Sequence, residues 1–283
     1  MDKPIVKLLT YTPEPEKIIA SAARLCYANT VSIDTLMDNL SEDKIETMVE
    51  KLASMGHSSP FCQVSYTFGI ENVSRAFTHQ FARHHVGVSF DQRSQRYVNE
   101  GKFNYITPPA IEANDEIHEK FQAFMEYTSR FYNEMVSAGI KKEDARSILP
   151  NACETKLIAT INAQELFHIF GLRCCNRTQF EFRQVANEML CLVKEVSPKI
   201  FKNAGAHCDM YGYCPEGDMC CGKAPTLQEV LKGYKERISE KKKRLSERNI
   251  FLIAFSIFKL EDKIRFLYRK DRKYGKYITV CFQ

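Results

Sequence analysis

The sequence predicts an α+β fold: one main domain in which a mixed or antiparallel sheet packs with long helices. Three observations carry this expectation. Segments of period two and segments of period 3.6 both occur, but they do not alternate as the strand–helix–strand units of a parallel sheet. A chain of 283 residues with 44% hydrophobic content is long enough to bury a substantial core. No Gly-x-Gly-x-x-Gly occurs, so no Rossmann cradle for a dinucleotide is expected.

Along the chain, residues 16–26 carry Ile18, Ile19, Ala22, Ala23 and Cys26 at helical spacing, with Pro13 and Pro15 as start signals. A second helix is expected over 41–55, ended by Gly56. Residues 61–70 alternate, with Cys62, Val64, Tyr66, Phe68 and Ile70 on one side, which predicts a half-buried strand. Residues 73–84 read as helix, followed by an irregular stretch to Tyr97. A long helix is expected over 114–138, stopped by Gly139, and a short one over 141–149, stopped by Pro150. Residues 154–161 alternate as a strand. Asn162 and Glu165 form a capping arrangement for a helix through Leu172. A further helix spans 179–196, a Gly/Cys/Pro-rich loop 205–222, and a charged helix 227–248.

Charge is unevenly placed. The net +5 divides into +10 for residues 223–283 and −5 for residues 1–222, so the main body is not the basic surface of a nucleic-acid-binding domain. No run of 18 apolar residues is present, and the N-terminus lacks the basic and apolar regions of an export signal. Eleven cysteines, an odd number without such a signal, fit free thiols in a reducing cytoplasmic setting better than a disulfide scaffold. No nucleic-acid or membrane partner is expected.

The densest chemistry lies between Gln80 and Tyr97. Three arginines (Arg83, Arg93, Arg96), two histidines (His84, His85), Ser94 and the amides Gln80, Gln92 and Gln95 fall within 18 residues. A helix delivering Arg83 to its end, followed by a Gly/Ser-containing loop, suits an anion, and guanidinium forks suit phosphate and the edge of a planar base. A basic surface loop held by salt bridges is the plainer reading of the same composition.

The order of residue types resembles one family. Arg83-His84-His85 followed by Ser94-Gln95-Arg96-Tyr97 is similar to the Arg-His-Arg-X7-Ser motif of the flavin-dependent thymidylate synthases. Gly56-His57-x-x-Pro60-Phe61, Ala145-Arg146-x-x-Leu149-Pro150, and Asn162-Ala163 with Leu172-Arg173 and Gln179-x-Glu181 resemble further family segments in the same order. The resemblance covers about residues 5–222. His85 departs from the family's second arginine, and eight residues rather than seven separate His85 from Ser94.

The resemblance implies a catalytic domain over 1–222 with a basic helical extension over 223–283. It implies conversion of dUMP to dTMP, with methylene-tetrahydrofolate as carbon donor and NADPH-reduced FAD as hydride donor. Arg173 matches the catalytic arginine that polarises the pyrimidine. Gln80, Arg83, Gln92, Arg93, Ser94, Gln95, Arg96 and Arg146 match dUMP-binding positions alongside Arg173. Ser59, Arg83, His84, His85, Gln92, Asn162, Gln164 and His168 match FAD-lining positions. No resident metal is implied, and the family assembles as a homotetramer with interfacial sites. A salt bridge from Arg173 to Glu181 or a neighbour is the structural alternative for that arginine.

Other readings remain. His85 and the longer gap suit a catalytically impaired nucleotide-binding relative. Cys208, Cys214, Cys220 and Cys221 with His207 suit a zinc loop in an RNA-binding protein, although the spacing is not the paired C-x2-C type. A hydrolase lacks its Gly-x-Ser-x-Gly elbow. Cys174-Cys175 beside Arg173 are expected to be packing thiols, not nucleophiles.

Overall fold

The computed structural model describes residues 3–29, 32–38 and 40–245. Four strands, β1 (Ile5–Tyr11), β2 (Ser65–Ser74), β3 (Val88–Gln92) and β4 (Glu154–Asn162), form one sheet in the order β1-β2-β4-β3, antiparallel throughout. The helices are α1 (Pro15–Leu25), α2 (Ile33–Asp38), α3 (Glu42–Met55), α4 (Arg75–Phe81), α5 (Pro109–Glu112) and α6 (Asp115–Ser137). They continue as α7 (Lys142–Ala145), α8 (Ala163–Arg173), α9 (Phe180–Val196), α10 (Pro198–Phe201), α11 (His207–Tyr211) and α12 (Leu227–Leu245). The α+β expectation holds.

The core sits on one face of the sheet. Alternation places Tyr66, Phe68 and Ile70 of β2 and Leu157, Ala159 and Ile161 of β4 on the buried side. They meet Phe77 and Phe81 of α4, Leu166, Ile169 and Phe170 of α8, and Phe182, Val185 and Met189 of α9. Each large side chain so buried contributes about 1.5–3 kcal/mol relative to exposure. On the opposite face Thr67 and Thr160 share a hydrogen bond of 2.9 Å, while Ile158 stays half exposed.

Several boundaries differ from the sequence reading. The strand expected from Phe61 begins at Ser65; residues Ser59–Gln63 form a 3-10 turn that leaves Cys62 exposed. Val73 and Ser74 belong to β2 rather than to a helix, because Ser74 Oγ accepts from Phe77 N and so starts α4 at Arg75, two residues later than expected. The irregular stretch contains β3, and the 205–222 loop contains α11. The 141–149 segment is α7 followed by a 3-10 turn over Arg146–Ile148. The unread strand β1 pairs only with β2 at the sheet edge. The charged helix is described to Leu245, and the reading of residues 249–283 lies outside the described residues.

Three joints position the site. β2 hands over directly to α4, and α4 ends just before Arg83 and His84. Gly87 O accepts from Asn162 N at 2.9 Å, tying the next turn to the end of β4. Asn162 then caps α8, its Oδ1 accepting from Glu165 N at 2.9 Å. The turn after α4 is therefore held against the first turn of α8.

Candidate active site at the C-terminal half of α8

Helical spacing puts Glu165, His168 and Leu172 on one stripe of α8, with Arg173 at its end. Opposite them lie Arg83, His84, His85 and Val86, and together these eight side chains line a cavity of 260 Å³. His84 is 4% exposed and both of its ring nitrogens are engaged. Nδ1 lies 2.8 Å from Glu165 Oε1, and Arg173 Nε donates to Nε2 over 3.0 Å. An acceptor at Nε2 places the ring proton on Nδ1, where Glu165 receives it.

Arg173 lies over the ring of Phe182, its guanidinium carbon 4.7 Å from the centroid. Burial, reinforced by the charge of Arg83, lowers its pKa from the usual arginine value. Guanidinium remains protonated in proteins even so. Among the described residues its two terminal nitrogens have no protein partner, which leaves them available to a ligand. The salt bridge to Glu181 does not form. Glu181 is 1% exposed and accepts instead from Ser74 N and, at 2.6 Å, from Ser74 Oγ.

His168 joins this cavity to a second one of 440 Å³, which His57, Ser58, Phe61, Gln164, Phe167 and Tyr211 also line. Burial lowers the pKa of His168 and of His207, which also lines the second cavity. Gln164 donates to Ser58 Oγ at 2.9 Å. Ser59 is exposed in the neighbouring 3-10 turn and does not line that cavity. Asn162 spends its side chain on the α8 cap. Gln80 lies with Arg173 on a third cavity of 320 Å³, bounded by Gln179 and by Cys208, Cys214 and Pro215 of the Cys-rich loop.

The remaining predicted residues gather elsewhere in the chain. Gln92 donates to Thr78 Oγ1 and Thr155 Oγ1 at the edge of the sheet. Arg93 pairs with buried Glu100 at 3.3 Å, and Arg75 donates to Arg93 O. Arg96 pairs with Glu143 at 2.7 Å, its backbone N donates to Ser94 Oγ, and Arg146 Nε donates to Glu143 O at 3.1 Å. Gln95 is half-buried in the same turn. None of Gln92, Arg93, Ser94, Gln95, Arg96 and Arg146 lines the cavity of Arg173. One chain thus carries two separate groups.

Sequence reasoning assigned Glu165 only to a helix cap. The signal available was its place three residues before His168 and eight before Arg173, which puts all three near one helix face. The ligand atoms of His84, Glu165 and His168 lie within 4.8 Å of one another, a spacing a divalent ion accepts. Arg173 occupies the second nitrogen of His84 with a donor, and its positive charge opposes a cation there. The arrangement is a hydrogen-bonded relay. Among the described residues the thiols and His207 of the Cys-rich loop form no comparable group of three. Cys174 is buried and pushed up to about 12, which removes it as a nucleophile at neutral pH.

Comparison with known proteins adds the chemistry. A family model described as "Thymidylate synthase complementing protein" matches residues 7–199. The flavin-dependent thymidylate synthase of Clostridium tetani is 45% identical over 241 residues, covering 80% of this chain and 96% of the relative. That of Geobacter sulfurreducens is 46% identical over 230 residues, covering 80% and 97%. The Pyrococcus furiosus enzyme of the same description is 37% identical, covering 76% and 90%.

Proposed function

The chain belongs to the flavin-dependent thymidylate synthases, and from that premise we propose how its side chains divide the work. The reaction converts dUMP to dTMP, with methylene-tetrahydrofolate giving the carbon and FAD, reduced by NADPH, giving the hydride. The residues present fit a flavin: Phe61 and Phe167 offer an apolar wall, and His57, Gln164 and His168 offer polar edges, in a cavity of 440 Å³. That volume lies in the range of cofactor pockets.

Arg173 is the catalytic residue of this reading. Its free guanidinium edge stabilises negative charge at N3 and the carbonyl oxygens of the pyrimidine. It cannot act as a base. Gln80 and Arg83 hold the nucleotide beside it, and Arg93, Ser94, Gln95, Arg96 and Arg146, with Gln92, form the rest of the dUMP site. Ser59, Arg83, His84, His85, Gln92, Asn162, Gln164 and His168 serve FAD. The single observation that carries the reading is the buried Glu165–His84–Arg173 relay opening onto the 260 Å³ cavity.

The second arginine group reaches a nucleotide at Arg173 when another protomer supplies it, as in a homotetramer with interfacial sites. One surface supports self-association. Ile117, Phe124, Tyr127 and Phe131 of the 23-residue helix α6 are 46%, 55%, 57% and 40% exposed, at intervals of seven, three and four residues. Such an apolar stripe marks an interaction surface. Residues 1–222 constitute the catalytic domain and 223–283 an extension, a division supported by the family match over 7–199. The ten described cysteines are all free, which suits a reducing, cytoplasmic location. No described helix is long and apolar enough to cross a membrane.

Tritium release from 5-labelled dUMP tests the assignment. Arg173→Ala should lower the rate by about 10²–10³-fold, the scale for losing one donor to a developing anion. An unchanged rate would remove Arg173 from the chemistry.

A further inference from the structure

We propose that Glu165 is a positioning residue for Arg173, acting through the tautomer of His84. The inference rests on the reading of Arg173 given above. A neutral imidazole has two tautomers, and only one can accept from Arg173. With the proton on Nδ1, Nε2 keeps a lone pair and receives the Arg173 Nε–H at 3.0 Å. With the proton on Nε2, two N–H groups face each other and the contact is repulsive.

Glu165 decides between them. An ionised carboxylate is an acceptor only, so it calls for an N–H at Nδ1, 2.8 Å away. The glutamate is itself fixed, because its backbone N donates to Asn162 Oδ1 and its side chain is only 10% exposed. No ion pair joins Glu165 directly to Arg173 among the described residues. The guanidinium is otherwise held over the Phe182 ring, a contact that fixes its position above the ring but not the direction of its N–H groups. The Nε–H bond sets the rotation, and with it the direction of the free terminal nitrogens. A carboxylate that orders a histidine in this way resembles the partners that order metal-bound imidazoles, whose loss typically costs 10–100-fold.

The test is a double-mutant cycle in the FAD-loaded full-length enzyme, following dTMP formation. Glu165→Ala should lower kcat by about 10–100-fold and leave the KM for dUMP nearly unchanged. Glu165→Gln, whose carbonyl oxygen still accepts from Nδ1–H, should recover most of that loss. In the Arg173→Ala background neither Glu165 substitution should lower kcat further. Loss factors that multiply across the two backgrounds would overturn the proposal, and so would a glutamine variant as impaired as the alanine variant. If Glu165→Ala does not fold, Glu165→Gln in both backgrounds decides the matter: the expected result is a loss of a few-fold only where Arg173 is present, and equal factors refute it. An Arg173→Ala enzyme with full activity would instead overturn the role of Arg173, a separable outcome.

Discussion

Gly87→Ala tests whether the turn after α4 and the start of α8 are one mechanical unit. Gly87 has φ of 75°, in the left-handed region. A Cβ built there would lie 2.2 Å from Asn162 Nδ2 and 2.8 Å from its Oδ1. Real Cβ contacts are never that short, so Asn162 would have to move. That side chain caps α8 by accepting from Glu165 N. A non-glycine residue in the left-handed region costs about 1–2 kcal/mol. Losing an N-cap costs about 1 kcal/mol more. The sum, about 2–3 kcal/mol, corresponds to a fall in Tm of about 5–10 °C for a domain of this size. Calorimetry of the two purified proteins measures it. Asn162→Ala should cost the cap alone, and the Gly87→Ala, Asn162→Ala double variant should be less destabilised than the two singles added together, because the clash has gone. A Gly87→Ala protein with unchanged Tm would refute the packing of the turn against Asn162.

Two further outcomes follow from buried titratable groups. Burial raises the pKa of the Glu181 carboxyl, against the Ser74 hydrogen bonds that lower it. A raised carboxyl favours folding at pH below the unfolded value and loses that contribution as pH rises through the folded one. Glu181→Gln should therefore gain stability relative to the parent as pH rises from about 4.5 towards neutrality in urea unfolding, and a gain that shrinks over that window contradicts the burial argument. Cys153 and Cys174 are both pushed up to about 12 by burial, whereas Cys26, Cys62, Cys191 and Cys221 are exposed. Iodoacetamide at pH 8 should modify the exposed four first and leave the buried pair intact until the chain unfolds. Early alkylation of Cys174 would bring back a thiolate beside Arg173.

Legibility in the sequence followed how much of an element's environment its own side chains encode. Helix α6 runs from its Asn114 cap to Ser137, within a residue of the segment read from periodicity, because cap and stop are local signals. Strand β4 alternates cleanly because one face is buried and the other is not. Edge strand β1 is only half-buried at best, so its pattern carries little information. β3 reads as irregular because Ser89, Asp91 and Gln92 are polar; its pairing with β4 is what makes it a strand. The site divides in the same way. The arginines, histidines and amides were visible as chemistry, since charge and hydrogen-bonding capacity belong to single residues.

Their partnership belongs to the tertiary structure. The chain order Arg83-His84 gives no sign that His84 turns inward while Arg83 and His85 face solvent. Nor does it show that Glu165, 81 residues on, meets that ring. The sequence by itself determined the kinds of group available, the amphipathic segments and the family pattern they compose. Only the folded arrangement decided that Arg173 is held by His84 rather than by Glu181, and that Arg96 and Arg146 lie with Glu143 and away from it. Hydrogen bonds act over about 3 Å, and contacts at that range between residues distant in the chain exist only once the sheet has brought α4 and α8 together.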